Sequence, residues 1–193
     1  VPTSDAELAR QALAGSQTAY GALVARYSAP AIAIATRLVR DRAVAEELAQ
    51  DAFVKAFRHL GTYDPDRPFS TWFFRILHNV AIDHLRVRRV DGVSLDARLD
   101  EGYPDPTRGL NDGADVELER RDLARAIDVA LTRLRPAFRS VVALRYQQGL
   151  SVQEVAEVLD LPEGTVKTHL HRARRELASI LSAAGWGPGP SSA

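Results

Sequence analysis

Residues 151–177, SVQEVAEVLDLPEGTVKTHLHRARREL, constrain the fold more than any other stretch, because they spell out two short helices and the tight turn between them. Ser151 followed three positions later by Glu154 is a capping box, and Val152, Val155, Ala156 and Leu159 then share one helical face. Asp160 tolerates the left-handed backbone that a tight turn needs, and Pro162 suits the first turn of a new helix, where its missing N–H is not required. The second helix is therefore predicted to start near Pro162. At about 100° per residue its apolar stripe is Val166, Leu170, Ala173 and Leu177, while Gly164, Lys167, Thr168, His171, Arg172 and Arg175 gather on the opposite arc. An apolar back with outward donors is what reading a DNA major groove requires. The competing reading is an ordinary helical hairpin with a solvated basic face. The short, specific turn and an arc that is cationic or hydroxylic, not mixed in sign, favour a DNA-reading helix-turn-helix.

With 193 residues and 46% hydrophobic composition, the chain has material for one large or two small packed domains. Cysteine is absent, which removes disulfides and thiolate metal sites, and His59, His78, His84, His169 and His171 lack ligand-like spacing to carboxylates or to each other. No metal site or cofactor is expected. An enzyme acting on nucleic acid would need carboxylates clustered on a shared face; Glu46 and Glu47 are adjacent and point in different directions, so no catalytic residue is assigned. No apolar run approaches the roughly 20 residues of a membrane span, and the start lacks a basic-then-apolar signal pattern, so a cytoplasmic protein without membrane insertion is expected.

The zero net charge conceals segregation. Residues 1–90 carry 12 basic and 9 acidic groups, residues 91–122 carry 4 and 10, and residues 123–193 carry 9 and 6. Two mildly basic blocks thus flank an acidic bridge.

In chain order, Thr3 or Ser4 caps a first helix, and a second runs from about Gln17 to Arg40, with Pro30 expected to kink or interrupt it. Residues 41–60 form an amphipathic helix with Ala45, Ala49, Ala52, Phe53, Ala56 and Phe57 on the buried face and Glu47, Gln50, Asp51, Val54 and Arg58 on the opposite arc. From periodicity alone that arc reads as a solvated face. A turn-rich loop, 61–68, precedes a long helix capped by Ser70, in which Phe73, Ile76, Leu77 and Val80 face inward. Arg75, Asn79, Asp83 and Arg86 share another face, and the cations Arg86, Arg88 and Arg89 suit the helix C-terminus. Phe69 and Trp72 read as core anchors. Residues 91–114 lack a sustained period and form an acidic flexible linker, and helices then resume, one through Leu118, Leu123, Ala126, Ile127, Ala130, Leu131 and Leu134, the next from Pro136 through Phe138, Val141, Val142 and Tyr146. The fold class is all-α: a helical domain at 1–90, the linker, a second helical domain with the helix-turn-helix at 115–184, and a disordered tail at 185–193.

This pattern resembles the bacterial RNA polymerase sigma factors of the extracytoplasmic-function group over nearly the whole chain. The resemblance is carried by AEELAQDAFVKAFR at 45–58, FSTWFFRILHNVAIDHLR at 69–86, and LRPAFRSVVALRYQQGLSVQEVAEVLDLPEGTVKTHLHRARREL at 134–177, in that order. It implies a non-catalytic subunit that gives core RNA polymerase its choice of promoter. It further implies an N-terminal domain that reads the −10 element, a C-terminal one that reads the −35 element, contacts to the polymerase clamp helices and flap, promoter DNA as ligand, an anti-sigma factor as partner, and no small-molecule substrate. By the same resemblance Glu47, Gln50, Asp51, Val54 and Arg58 dock on polymerase. The loop at 61–68 and the helix bearing Arg75, Asn79, Asp83, Arg86, Arg88 and Arg89 hold the melted −10 strand, and Lys167, Thr168, His171 and Arg172, with Arg175 on the same arc, contact the −35 duplex. The chain departs from the family at Asp160, where Gly is usual, and at Lys167, Thr168 and His169, where Arg-Ser-Arg or Lys-Ser-Arg is common. His169 is thereby expected to be a weaker, pH-dependent phosphate contact, and no promoter sequence carries over from a relative. The alternative is a free-standing helix-turn-helix regulator that binds duplex DNA without being a polymerase subunit.

Overall fold

The computed structural model describes residues 3–90 and 114–186, with side chains described for 3–87 and 120–186, and contains no strand among the described residues. Short polar side chains start the first helices. Ser4 accepts from the Glu7 N–H at 3.2 Å to open α1 (Asp5–Leu13), Ser16 accepts from the Ala19 N–H at 3.2 Å to open α2 (Gln17–Val39), and Asp41 accepts from the Val44 N–H at 3.2 Å to open α3 (Arg42–His59). A 3-10 turn at Leu60–Thr62 and the loop that follows lead into α4 (Phe69–Val90). Helix α4 begins one residue before Ser70, with the Pro68 carbonyl accepting from the Thr71 N–H at 3.2 Å, so Ser70 lies inside the first turn instead of capping it.

The first unit is built around α2, whose Leu23, Tyr27, Ala31, Ile34, Ala35 and Leu38 are buried. Small residues on α3, Ala45, Ala49, Ala52 and Ala56, are buried too and allow close helix approach, while Phe69, Phe73, Phe74 and Leu77 of α4 fill the remaining volume. The Tyr27 ring lies 5.2, 5.6 and 5.9 Å from Phe69, Phe73 and Phe74, and its hydroxyl donates to Asp5, which also pairs with Arg26 and so pins α1 onto α2. Burial, reinforced by the Asp5 carboxylate, pushes the Tyr27 hydroxyl far above its ordinary range.

Two expectations change here. Pro30 does not interrupt α2, which runs through it with Tyr27, Ala31 and Ile34 buried on both sides of the proline. The same helix is long and apolar enough to cross a membrane by length and composition, contrary to the reading of the sequence; nearly half of that stretch is buried as the central core helix.

The second unit comprises α5 (Ala114–Arg133), α6 (Pro136–Val142), a π-helical turn at Ala143–Gln147, α7 (Val152–Leu159) and α8 (Glu163–Ala183). Its core is Leu131, Leu134, Phe138, Val141, Leu144, Leu150, Val155, Val158, Val166, Leu170 and Ala173. The helix from Pro136 does not carry Tyr146 inward: the π turn widens the backbone, leaving Tyr146 57% exposed, and Gly149 at φ +68 ends the segment. Leu123 and Ile127, expected on the buried stripe of α5, are exposed because the other helices of the unit cover only the end of α5 near Ala130 and Leu131. At the far end Gly185 turns left-handed and the Trp186 N–H donates to the Leu181 carbonyl at 2.8 Å, closing α8. Of the linker expected at 91–114 and the tail expected at 185–193, residues 91–113 and 187–193 lie outside the described residues, and Ala114 already belongs to α5.

The two units pack on one another, α4 against α7 and α2 against α6. Thr71 donates to Glu154 at 3.3 Å, Arg67 pairs with Glu157 at 3.4 Å, Arg37 pairs with Asp128 at 3.5 Å, and Arg40 donates to the Thr132 carbonyl.

Candidate nucleic-acid interface

The helix-turn-helix forms as its residue types require. Ser151 accepts from the Glu154 N–H at 3.1 Å while Glu154 accepts from the Ser151 N–H at 2.6 Å, completing the capping box. Asp160 sits at φ 53, ψ 48, and its N–H donates to the Ala156 carbonyl. Pro162 occupies the N-cap with Glu163 as the first helical residue, one step later than the sequence suggested. Val155, Val158, Val166, Leu170 and Ala173 lock the two helices together. Burial pushes the Glu154 carboxyl up, but hydrogen bonds from Ser151 and Thr71 and the charge of Arg145 outweigh it and leave the carboxyl below its ordinary value of 4.5. The Glu154 contribution to stability is therefore complete above pH 4.5 and is lost as pH falls through the lowered value. Ser151→Ala removes a cap and is expected to cost about 1 kcal/mol in chemical denaturation, with helicity below the midpoint unchanged; an unchanged midpoint would show that the box adds nothing.

This frame leaves Lys167, Thr168, His171, Arg172 and Arg175 exposed along one side of α8. Lys167 pairs with Glu163 at 3.6 Å, and Thr168 donates its hydroxyl proton to the Gly164 carbonyl at 2.8 Å. His169 is less outward than its neighbours on the arc. Its half-buried ring packs 5.3 Å from Phe138, and its Nδ1 is buried without a hydrogen-bond partner, so this face of the ring wedges between α8 and α6 and only the Nε2 side is left to meet a phosphate. The helical period explains this, since residue 169 falls next to the inward stripe of Val166 and Leu170.

On α4, Arg75, Asn79, Asp83 and Arg86 are exposed, and Arg86 pairs with Asp83 at 3.6 Å. Arg88 and Arg89 belong to the last turn of α4, and their side chains lie outside the described residues. Burial pushes the His78 imidazole below its ordinary value. The neighbouring loop is preformed: the Tyr63 hydroxyl donates to the Arg67 carbonyl at 2.8 Å and Asp64 accepts from the Asp66 N–H at 3.0 Å. Phe69 is buried and Trp72 partly so, their rings 5.4 Å apart beneath the loop, which makes them anchors.

A second surface lies on α3, where Glu47, Gln50, Asp51, Val54 and Arg58 are all exposed. The sequence reading missed one member. Phe57, expected in the core, is 55% exposed beside Val54 at 50%, with Tyr20 set against it in a T-shaped contact at a centroid distance of 4.9 Å. The Tyr20 hydroxyl is spent on the Phe53 carbonyl, and burial pushes it up to about 12. The signal was present: Phe57 lies at the boundary of the two arcs, three residues from Val54. Among the described residues no group of three or more His, Asp or Glu side chains is placed to hold a metal ion.

Comparison with known proteins matches each unit separately. Residues 23–90 match the family described as Sigma-70 region 2, and residues 124–177 match Sigma-70, region 4. The chain is 34% identical to the ECF RNA polymerase sigma factor SigW of Bacillus subtilis, over 89% of this chain and 94% of that one. It is also 34% identical to the RNA polymerase sigma factor CnrH of Cupriavidus metallidurans, over 93% and 95%. The solved structure of CnrH in complex with the cytosolic domain of CnrY superposes with a TM-score of 0.65 at 30% identity, covering 94% of this chain and 99% of that one. The sigma factor RpoE of Bartonella quintana, solved in complex with the anti-sigma factor NepR, shares the fold with a TM-score of 0.68 at 23% identity, over 84% and 96%.

Proposed function

Because the chain belongs to the extracytoplasmic-function sigma factors of RNA polymerase, we propose how its surfaces divide the work of promoter selection. It is a sigma subunit: it binds core RNA polymerase and directs transcription initiation at promoter DNA. The observation that carries this conclusion is the match of both units, in order, to the same family over most of the chain. A free-standing regulator would have no use for the N-terminal unit.

In our assignment, residues 1–90 form the unit that docks on polymerase and holds the −10 element, residues 91–114 are the linker, and 115–184 form the unit that reads the −35 element. The α3 arc of Glu47, Gln50, Asp51, Val54 and Arg58, extended by Phe57, is the polymerase surface: it combines hydrogen-bonding groups with two exposed apolar side chains, the composition of an interface core and its rim. Arg75, Asn79, Asp83 and Arg86, with Arg88 and Arg89, line the path of the melted −10 strand, and Lys167, Thr168, His171, Arg172 and Arg175 face the −35 duplex. An anti-sigma factor is the expected regulator, as NepR is for RpoE. The subunit performs no chemistry of its own and works in the cytoplasm beside polymerase.

The test of the function is reconstitution. Core polymerase with this chain is expected to give run-off transcripts from a cognate promoter, and polymerase alone none; duplex binding without polymerase binding would instead point to the free-standing regulator. The −10 assignment makes a separate prediction. Arg75→Ala combined with Asn79→Ala is expected to lower open-complex stability about five-fold or more, the cost of losing at least one polar contact of about 1 kcal/mol. Permanganate reactivity of the melted strand reports this. Unchanged melting with wild-type −35 affinity would remove α4 from the strand path.

A further inference from the structure

The loop at 61–68 hangs from a single side chain. Seven of its eight residues are exposed and Tyr63 alone is buried, so the course of the loop depends on what grips that one ring. The ring meets Phe69 in a T-shaped contact at 5.3 Å between centroids and lies 5.5 Å from Trp72. Its hydroxyl reaches across the loop to donate to the Arg67 carbonyl. Phe69 in turn rests against Tyr27 of α2, 5.2 Å away, and Tyr27 is held by a residue from outside this cluster, Asp5.

Asp5 is the first residue of α1 and precedes the residues, 23–90, that match Sigma-70 region 2. One of its carboxylate oxygens accepts from the Tyr27 hydroxyl and the other pairs with Arg26, whose guanidinium also donates to the Thr3 carbonyl at 3.1 Å. Charge-assisted bonds of this kind, shared among three groups, fix a ring more firmly than a lone surface ion pair would. Helix α1 packs on α2 and also on the 3-10 turn at Leu60–Thr62, from which the loop departs. The Asp5 charge is felt at the loop itself: burial raises the Tyr63 hydroxyl above its ordinary value, and the carboxylates of Asp5 and Asp64 raise it further. Asp5 thus supports the loop by two routes, through the Tyr27 and Phe69 rings and through the turn. The core of this unit does not depend on it. The large apolar side chains of α2 and α4 are buried against one another, whereas the Asp5 side chain is 24% accessible at the periphery. A loop that receives a ligand loses less freedom on binding when its anchor is already fixed, so support of this sort bears on capture more than on folding.

We propose that Asp5 is a positioning residue for promoter melting: it holds Tyr27 and, through Phe69 and the 3-10 turn, keeps Tyr63 and the loop at 61–68 in the shape that receives the melted −10 strand. The functional half rests on the −10 assignment above; the support of the loop by Asp5 is a property of the free chain and is measured there first.

The chain has two tryptophans, Trp72 beneath the loop and Trp186 at the end of α8, so Trp186→Phe in the full chain leaves Trp72 as the reporter of the loop's base. In that background Asp5→Ala is expected to shift Trp72 emission to longer wavelength and to raise its quenching by acrylamide, with helicity by circular dichroism unchanged. Tyr27→Phe keeps the ring and removes the hydroxyl; it is expected to act in the same direction and to add little on top of Asp5→Ala, because both remove one bond. In holoenzyme on the cognate promoter, the Asp5→Ala open complex is expected to decay about five-fold faster, the order set by immobilising an anchor during binding instead of beforehand. Core polymerase binding and −35 duplex affinity are expected to match wild type. Ser16→Ala removes the cap of α2 and lowers stability without touching the cluster. Compared at equal distance below each variant's thermal midpoint, it is expected to leave both Trp72 and open-complex lifetime as in wild type. Unchanged Trp72 quenching in Asp5→Ala, an open complex as long-lived as wild type, or the same loss in Ser16→Ala overturns the proposal. If the wild-type chain opens no promoter with core polymerase, the sigma assignment fails, and the Trp72 result alone decides whether Asp5 supports the loop.

Discussion

Alanine at Lys167, Thr168, His171 and Arg172 together is expected to erase the −35 preference of the holoenzyme while leaving core polymerase binding intact. The four side chains are exposed on one face of α8 and are held there by a buried back of Val166, Leu170 and Ala173. Each side chain that pairs specifically with a base contributes roughly 1 to 3 kcal/mol of discrimination, so losing two such contacts removes about a hundred-fold preference or more. The members differ in how they are expected to fail singly. Arg172→Ala lowers the salt slope by about 1 if it touches phosphate, or flattens one base position if it reads guanine. Thr168 has already given its proton to the Gly164 carbonyl, so it offers DNA only lone pairs and a methyl group. Its matching base is one that presents an exocyclic amine or a thymine methyl, and Thr168→Ala should be felt there alone. Selection from a randomised −35 library reads all of these. A quadruple variant that keeps the wild-type preference would show that α8 is not the reader.

Gln50→Ala with Asp51→Arg is expected to abolish co-purification with core polymerase without loss of helicity. Both residues are exposed on α3, one turn from the apolar pair Val54 and Phe57. An interface of this kind concentrates its energy in a few central side chains, and a reversed charge at its centre costs several kcal/mol through repulsion and desolvation. Phe57→Ala is the sharper companion. A core aromatic would unfold the unit on truncation, whereas one that is 55% exposed should leave the thermal midpoint nearly unmoved and weaken polymerase binding by about 2 kcal/mol. Retention of polymerase by both variants would move the docking surface elsewhere.

Ser151, Glu154, Asp160 and Pro162 determine the helix-turn-helix locally, since each acts through its own backbone or a partner three or four residues away; capping and left-handed turns are short-range and legible in the chain. The same holds for the helix starts at Ser4, Ser16 and Asp41, and for the exposed arcs of α3, α4 and α8, which follow from a period of 3.6 residues. Period alone does not say how much of an arc a neighbour covers. Phe57 and Tyr146 read as core and are exposed because neighbouring helices leave about half of each side chain uncovered, and Leu123 and Ile127 are left open because the second unit packs only on the far end of α5. The period places His169 beside the inward stripe, but that its ring meets Phe138, a residue 31 positions away, is not written in it. Pro30 stays helical because the rest of its helix is buried on several sides, a context that no local rule contains. Most of all, nothing in the chain pairs Arg67 with Glu157 or Thr71 with Glu154 across a separation of more than 80 residues. Local steric and hydrogen-bonding preferences decided the helices, their ends and their faces; which faces meet was decided by the packing of whole helices against each other, a sum over distant residues that only the tertiary structure evaluates.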